Sequence, residues 1–377
     1  MAPEAGPLEH EQVELEPGRV VPCVVNGLFL LTHGEERLAV AVNRSDQHMG
    51  AGSPRVQVVA RQQQDATRFL EDLREQVRRH NVYRGRVVAF TSADYGEPPS
   101  LHIVALPVVE REAIVLPSGT LERVERHALA PARHRERLLA AGRHLKRGLL
   151  LHGPPGTGKT LTAMHLVGRM PGRTVVLLTG QSFGAIEPAC TLARQLEPSM
   201  VVLEDVDLVG EERTLPGAAP PLLFELLNQM DGLASDADVL FVLTTNRPDL
   251  LEPALAARPG RVDQAIEMPL PDAGGRRRLI DLYARGLTLR AQDLDRVVER
   301  TEGASAALMR ELLRKAAVFA AEEQTEGPIV VEDRHLDDAL DEFAWHGGGL
   351  TRSLLGSGPR ATTPIENPLE ESLEDWE

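Results

Sequence analysis

The chain has 377 residues, of which 42% are hydrophobic and 26% charged, as expected of globular proteins with two or three domains. A net charge of -15 and an aromatic content of 3% count against general affinity for nucleic acid or an anionic membrane. Two cysteines are too few for a disulfide framework or zinc site, and we find neither a secretory signal nor a membrane-spanning run. We therefore expect a cytoplasmic protein without a membrane span.

The first third of the chain predicts a small α+β domain. Residues 1–18 are acidic and contain proline and glycine, so we expect a flexible lead-in. An amphipathic helix is predicted over 65–79, and we place the domain at 19–112. We find no catalytic constellation in it, so we expect it to bind a partner. The β-prone runs are 20–25, 29–32, 38–42, 56–60, 82–91 and 102–109.

Further along the chain, strands and helices alternate. Apolar runs at 148–151, 174–178, 200–203, 239–244 and 265–268 predict strands, with helical segments between them. This alternation predicts an α/β domain over 113–272 with a parallel sheet covered on both faces. Residues 273–346 predict a helical domain, and we interpret the acidic segment 347–377 as a disordered tail.

A glycine-rich loop lies between the first of these strands and the helix that follows. Strand, loop and helix in this order are typical of a phosphate-binding loop, whose backbone N–H groups surround the phosphates. Lys159 is expected to reach the outer phosphates, and the Thr160 hydroxyl to ligate Mg²⁺. The residues predicted to bind nucleotide are Gly153, Pro154, Pro155, Gly156, Thr157, Gly158, Lys159, Thr160 and Leu161.

Two carboxylates and an amide follow neighbouring strands. Glu204 and Asp205 end the strand at 200–203, and Asn246 follows the strand at 239–244. The carboxyl edge of a parallel sheet is where such proteins hold a metal and a water. We expect Glu204 to bind Mg²⁺ and Asp205 to orient or deprotonate the attacking water, although the sequence leaves open which carboxylate is the base. Asn246 could hold the same water from another side.

A pair of arginines, Arg258 and Arg261, lies three residues apart near a predicted helix end. Residues three apart on a helix can point the same way. An arginine beside a γ-phosphate stabilises transition-state charge and can contribute on the order of a thousandfold in rate. Taken alone, the two would be interpreted as surface arginines paired with nearby acids.

Together these motifs resemble the AAA family of ring-forming ATPases over roughly residues 118–343. In that family the glycine-rich loop is Walker A, the Glu204-Asp205 strand is Walker B, and Asn246 stands at sensor 1. The segment from Asn246 to Asp263 resembles the second region of homology, which is more specific than Walker A. The resemblance implies a P-loop NTPase fold with a C-terminal helical lid, bound ATP and Mg²⁺, and hydrolysis of ATP. It also implies that Arg258 and Arg261 act in the neighbouring subunit of a homo-oligomer, commonly a hexameric ring.

Two departures from the family pattern affect the expected activity. The family's Walker B usually ends Asp-Glu, whereas this chain has Glu204-Asp205, as in the branch resembling the mitochondrial translocase for folded Rieske protein. The reversed order shortens the carboxylate facing water, so we expect slow or conditional hydrolysis. The segment 180–204 is shorter than the corresponding segment of the family. The residues that begin at Phe183 resemble the family's pore loop only weakly.

Three functions are compatible with these features. The first is an oligomeric, chaperone-like ATPase that remodels or disassembles a protein partner. The second is an ATP-dependent switch or scaffold that turns over poorly, which the departures favour. A nucleic-acid remodeller is a weaker third hypothesis, because charge and aromatic content count against it.

Overall fold

The computed structural model describes residues 8–16, 19–33, 36–44, 54–90, 101–207, 221–232, 237–251, 261–324 and 326–345. The chain divides into two compact units. The first comprises residues 1–154 and 158–269, and the second comprises residues 155–157 and 270–377. Across the described part of the chain, no helix is both long and apolar enough to span a bilayer.

The first unit opens with a four-stranded antiparallel sheet and one helix. The strands are β1 (Glu9–Glu16), β2 (Arg19–His33), β3 (Glu36–Arg44) and β4 (Pro54–Ala60), paired in chain order, and the helix is α1 (Gln63–Arg79). The helix packs on β3 and β4. Val40 is the only buried apolar side chain within the described part of this module, so its core is small.

Strand β1 lies in the stretch that we predicted to be a flexible lead-in. It pairs antiparallel with β2, and Val13 lies opposite Val21. The strand is almost entirely polar, so it lacks the apolar alternation that predicts half-buried strands. Its order comes from backbone hydrogen bonds.

A seven-stranded sheet forms the centre of the first unit. Its order is β11-β7-β10-β9-β8-β5-β6, and every neighbouring pair is parallel except β5 with β6. This is the predicted P-loop α/β sheet. The strands are β5 (Val87–Phe90), β6 (Leu101–Ile103), β7 (Arg147–His152), β8 (Thr174–Leu178), β9 (Ser199–Leu203), β10 (Val239–Thr245) and β11 (Gln264–Glu267).

Strands β5 and β6 lie in the range that we assigned to the N-terminal domain, but they extend the central sheet. Val88 of β5 lies beside Val176 of β8 and is fully buried. The apolar run 87–90 therefore completes the large core instead of the small one. The central sheet thus begins well before residue 113, the boundary that the sequence predicted.

Helices cover both faces of this sheet. They are α2 (Thr120–Arg133), α3 (Arg135–Ala140), α4 (Lys159–Gly168), α5 (Ile186–Gln195) and α6 (Pro221–Asp231). Alternate residues of β9 enter separate cores: Val201 and Leu203 pack with α5 and α6, whereas Met200 and Val202 pack with α2 and α4. Burial on both faces explains the uninterrupted apolar runs.

The second unit is mainly helical, as predicted for the lid. Its helices are α7 (Ala273–Tyr283), α8 (Leu294–Arg300), α9 (Ala306–Glu323) and α10 (Asp333–Trp345), with a short parallel pair, β12 (Thr288–Leu289) and β13 (Val330–Val331). Met309, Leu312 and Leu336 are fully buried between these helices. The predicted tail, 347–377, lies outside the described residues.

Candidate nucleotide site

The glycine-rich loop joins β7 to α4. Leu149, Leu150 and Leu151 are buried and fix the strand that enters the loop. Gly158 precedes α4 with a φ of 92°, a left-handed conformation that favours glycine, and no side chain caps the helix there. The first N–H groups of α4 are thus left for a ligand, and the helix dipole favours an anion.

Lys159 is buried beside this loop. Its Nζ donates to the carbonyls of Gly153 and Pro154, each at 2.8 Å. Burial lowers the pKa of Lys159 to about 8, opposed by the negative charges of Asp205 and Asp207. Among the described residues, no carboxylate forms an ion pair with this ammonium within 4.0 Å, and the phosphates of a nucleotide would supply a closer counter-charge than Asp205 and Asp207.

Glu204 lies at the carboxyl end of β9, beside the helix that carries Thr160. The Thr160 hydroxyl lies close enough to lower the pKa of Glu204, and the Oε1 atom of Glu204 is buried without a hydrogen-bond partner. Burial and the neighbouring Asp205 raise the pKa of Glu204, and the Thr160 hydroxyl opposes them. A buried carboxylate oxygen with unused acceptor capacity beside a hydroxyl suits a hydrated Mg²⁺ ion.

Asp205 turns the chain sharply after β9. Its φ of 51° is the only positive value among the described non-glycine residues, and its N–H donates to Thr244 Oγ1 at 3.0 Å. Asn246 Nδ2 donates to Asp205 Oδ1 at 3.2 Å. Burial and the charge of Asp207 raise the pKa of Asp205. Backbone strain of this kind clusters at functional sites, and here it brings the carboxylate to the amide.

Asp207 is a residue whose role the sequence reasoning missed. Its Oδ1 accepts hydrogen bonds from Thr245 Oγ1 at 2.8 Å and from the Asn246 N–H at 3.1 Å. The buried Asp207 therefore fixes the end of β10 and, through it, the amide that bonds Asp205. The signal in the sequence was a third acid, four residues after the end of β9, to which the sequence analysis assigned no role.

The two predicted arginines have different outcomes. Arg258 lies outside the described residues. Arg261 forms an ion pair with Asp231 at the end of α6, and its side chain is 14% exposed. The following Asp263 binds the Gly148 N–H at 2.8 Å, and a Cβ on Gly148 would meet the Arg261 carbonyl at 2.2 Å. Gly148 thus permits the close approach that holds Arg261 beside β7.

The segment at Phe183, which weakly resembles a pore loop, belongs to the core. Phe183 is 2% exposed and lies in a 3-10 turn, 180–185, between β8 and α5. It packs in the cluster that includes Val176 and Ile186. A side chain buried in this way cannot also contact a polypeptide substrate in a pore.

A strand–loop–helix unit with a buried lysine, and carboxylates at the ends of neighbouring parallel strands, defines a P-loop nucleotide-binding protein. Residues 149–270 match the sequence model of the ATPase family associated with various cellular activities (AAA). This match, over about a third of the chain, identifies an AAA domain and confirms the resemblance drawn from the motifs.

Similar proteins include two archaeal proteasome-activating nucleotidases. That of Pyrococcus horikoshii is 35% identical over 207 residues, which is 52% of each chain, and that of Pyrococcus furiosus is 36% identical over the same length and shares. The 26S proteasome regulatory subunit 10B homolog A of Arabidopsis thaliana is 33% identical over 204 residues, 50% of this chain and 51% of its own. The chain thus spans about half the length of the curated relatives it matches.

Proposed function

We propose that this protein binds Mg²⁺-ATP at the loop between β7 and α4 and hydrolyses it. The observation that carries the proposal is the convergence of Lys159, Glu204 and Asp205 at one edge of the parallel sheet, next to the free N-terminus of α4. Lys159 binds the outer phosphates and exchanges its two carbonyl partners for phosphate oxygens. The loop N–H groups orient the phosphate chain.

The two carboxylates have separate tasks in this proposal. Thr160 and Glu204 would hold the magnesium, since the unpartnered Glu204 oxygen can accept from its water shell. The ion would supply positive charge that offsets the charge on the phosphate oxygens. Asp205 accepts a proton from the attacking water, and Asn246 orients that water through the amide that already bonds Asp205. A raised pKa suits a group that must take up a proton near neutral pH.

We assign Arg258 and Arg261 to the nucleotide of a neighbouring subunit, which makes an oligomer the active form. The second region of homology supports this assignment, because it supplies both arginines after the strand that carries Asn246. In the single chain the Arg261 charge is compensated by Asp231. In an oligomer, the Asp231 carboxylate and a phosphate of the neighbouring nucleotide would therefore compete for Arg261.

The substrate that we propose is a protein, remodelled or disassembled in the cytoplasm. The names of the relatives, proteasome-activating nucleotidase and proteasome regulatory subunit, support a protein target. The N-terminal sheet with α1 is the partner-binding module in this proposal. Because Phe183 is buried, we favour remodelling over threading of an unfolded chain through a pore.

A second candidate is an ATP-dependent switch that turns over slowly. The observation that favours it is Asp205 itself, because the shorter carboxylate is held in a strained turn and bonded by Asn246. Such a site binds nucleotide and changes assembly state, while the attack of water is slow. The two candidates differ in rate, not in the site.

The test is the Mg²⁺-ATP turnover per subunit, measured over a wide range of protein concentration with Lys159→Ala as the blank. A rate per subunit that rises steeply with concentration supports an oligomeric ATPase completed between subunits. A rate equal to the blank at every concentration, with ATP still bound by the unmodified chain, supports the switch. Absence of ATP binding would contradict both.

A further inference from the structure

The N-terminal sheet has one face that α1 does not cover. Residues alternate along its strands, so Leu38 and Val40 face the helix whereas Arg37 and Ala39 face away. We define the open face as Leu28, Leu30 and Thr32 of β2 with the residues that lie across from them on β3 and β4. Arg61, just after β4, borders the same groove.

The centre of the open face is an apolar groove. The cross-strand row Leu30, Ala39, Val59 has large side chains at both ends and a small one between them. Leu30 is 78% exposed and Val59 is 69% exposed, which is unusual for side chains of this size. The groove has a volume of about 530 Å³, within the roughly 300–1,000 Å³ typical of ligand pockets.

The charges that line the groove have a single sign. Arg37 and Arg61 flank it, and its described lining residues include no Asp or Glu, although the chain as a whole carries a net charge of -15. One row beyond Leu28, Glu9 of β1 lies across from Asn26 and accepts a hydrogen bond from its Nδ2 at 2.6 Å. The acid nearest in sequence to Arg37, Glu36, lies on the other side and pairs with Arg68 of α1 at 3.1 Å.

We propose that the open face binds an extended, acidic peptide segment that carries aliphatic side chains. An aliphatic side chain would lie over Ala39 between Leu30 and Val59, and neighbouring carboxylates would meet Arg37 and Arg61. Guanidinium groups bind carboxylates through paired N–H donors, so the arginines add specificity to the burial of apolar area. Such a segment would be the part of a protein substrate that the proposed ATPase selects. Peptide binding itself does not require ATP hydrolysis, so only its biological purpose rests on the proposed function.

Other occupants fit this surface less well. A second copy of the same face would bring arginine against arginine, which like-charge repulsion opposes. Bases of a nucleic acid stack on aromatic rings, and the described open face carries no Phe, Tyr or Trp. A membrane surface is bound by protruding apolar side chains, whereas this groove is concave over Ala39.

The test measures peptide binding by fluorescence anisotropy on the full chain without nucleotide. The probe is a fluorescein-labelled peptide of twelve residues in which Glu and Leu alternate. Its counterparts replace every Glu by Lys or every Leu by Ser. We expect saturable binding of the Glu-Leu peptide and at least tenfold weaker binding of both counterparts.

Variants locate the binding on the chain. Leu30→Ser with Val59→Ser, and separately Arg37→Glu with Arg61→Glu, should each weaken binding at least tenfold. The matched controls are Val77→Ser on α1 and Arg123→Glu with Arg126→Glu on α2, which change exposed residues elsewhere and should leave binding unchanged. If the serine variant fails to fold, the three peptides on the unmodified chain still decide.

Several outcomes would overturn the proposal. Equal binding of the Glu-Leu and Lys-Leu peptides, or unchanged binding by both double variants, would remove the open face as the site. Binding to phosphatidylserine vesicles but not to the peptide would make it a membrane surface. A changed oligomeric state in Leu30→Ser with Val59→Ser, without peptide binding by the unmodified chain, would make it an interface between copies. Lys159→Ala abolishes the proposed hydrolysis and should retain peptide binding, so the two proposals can fail separately.

Discussion

At the scale of single residues, Lys159 is a buried cation whose nearest hydrogen-bond partners are neutral carbonyls. Its pKa of about 8 means that a large share of the molecules carry a neutral Lys159 once the pH rises above that value. A phosphate ligand favours the ammonium and raises the pKa again. The charge of Lys159 is therefore coupled to the binding of nucleotide.

We predict that ATP binding at pH 8.5 takes up a substantial fraction of a proton per site, and much less at pH 7. The sign follows from the pKa, which is lowered in the free protein and raised in the complex, so affinity decreases as pH rises above about 8. Calorimetric titration in buffers of different ionisation enthalpy measures the uptake.

Lys159→Ala should bind ATP more weakly and should not show this proton uptake. Unchanged affinity for ATP would contradict the proposal that Lys159 binds the phosphates.

The carboxylate roles give a second prediction. Asp205→Asn should retain ATP binding and lower kcat by roughly 100-fold or more, because the proton acceptor is lost. Asparagine tolerates the left-handed backbone of Asp205, so the substitution changes the chemistry and spares the turn. Single-turnover hydrolysis beside equilibrium ATP binding measures the two effects.

Glu204→Gln should instead weaken the binding of Mg²⁺ by about tenfold or more, and it should leave the affinity for metal-free ATP unchanged. Titration of the hydrolysis rate with Mg²⁺ distinguishes the two variants. If Glu204→Gln abolishes hydrolysis at saturating Mg²⁺ while Asp205→Asn does not, the roles assigned here are reversed.

Fixed spacing along the chain is what predicts the roles of the loop residues and both carboxylates, and these roles stay predictions. The role of Asp207 could not be predicted in this way, since it depends on β9 and β10 ending side by side. The pairing of Arg261 with Asp231 joins residues thirty positions apart and required the fold. Spacing along the chain predicts which side chains are candidates for a site. Which of them form hydrogen bonds or ion pairs with one another depends on tertiary contacts.

At the scale of secondary-structure elements, a buried charge cluster ties together the amino ends of the central strands. Asp238, which is 2% exposed, precedes β10 and accepts a hydrogen bond from Arg173 at 2.9 Å. Arg147 of β7 lies 3.6 Å from the same carboxylate, and Arg173 also donates to the Ser199 carbonyl of β9. One carboxylate therefore compensates two buried arginines at the edge opposite the nucleotide site. Burial lowers the pKa of Arg147 to about 10, aided by the charge of Arg173.

We predict that Asp238→Ala lowers the free energy of unfolding by about 3–5 kcal/mol, because it removes the carboxylate that two buried guanidinium groups share. Urea denaturation measures the change. The matched control is Asp249→Ala, which breaks an exposed pair with Arg247 and should cost at most about 1 kcal/mol. Equal effects of the two substitutions would contradict the assigned role of the cluster.

The elements of the central sheet could be predicted because strands buried on both faces are continuous apolar runs. The predicted strand 174–178 agrees with β8, and the other predicted strands of the 113–272 range lie within one or two residues of the observed bounds. Two features could not be predicted from local pattern. Strand β1 has the composition of a loop, and only its pairing with β2 makes it a strand. Strand β5 has a clear strand pattern, but the choice of sheet depends on the neighbour it meets.

At the scale of the whole molecule, the proposed site divides its chemistry between subunits. The chain itself supplies the phosphate loop, both carboxylates and Asn246, whereas Arg258 and Arg261 are proposed to act on a neighbour. A chain with an intact loop and no arginine, and a chain with arginine and no working loop, would then each be inactive alone. A mixture could form one complete site at their shared interface.

We therefore predict that Arg258→Ala lowers kcat on the order of a thousandfold with ATP binding retained, and that mixing with Lys159→Ala restores part of the activity. The rescued rate should depend on the mixing ratio and reach its maximum near equal amounts, because only an interface that joins the two kinds of subunit is complete. Arg123→Ala, an exposed arginine on α2, is the control that should neither lower the rate nor need rescue. Mixed assembly is verified by differently tagged subunits. If verified mixtures regain no activity, Arg258 acts within its own chain, and the site is complete without a neighbour.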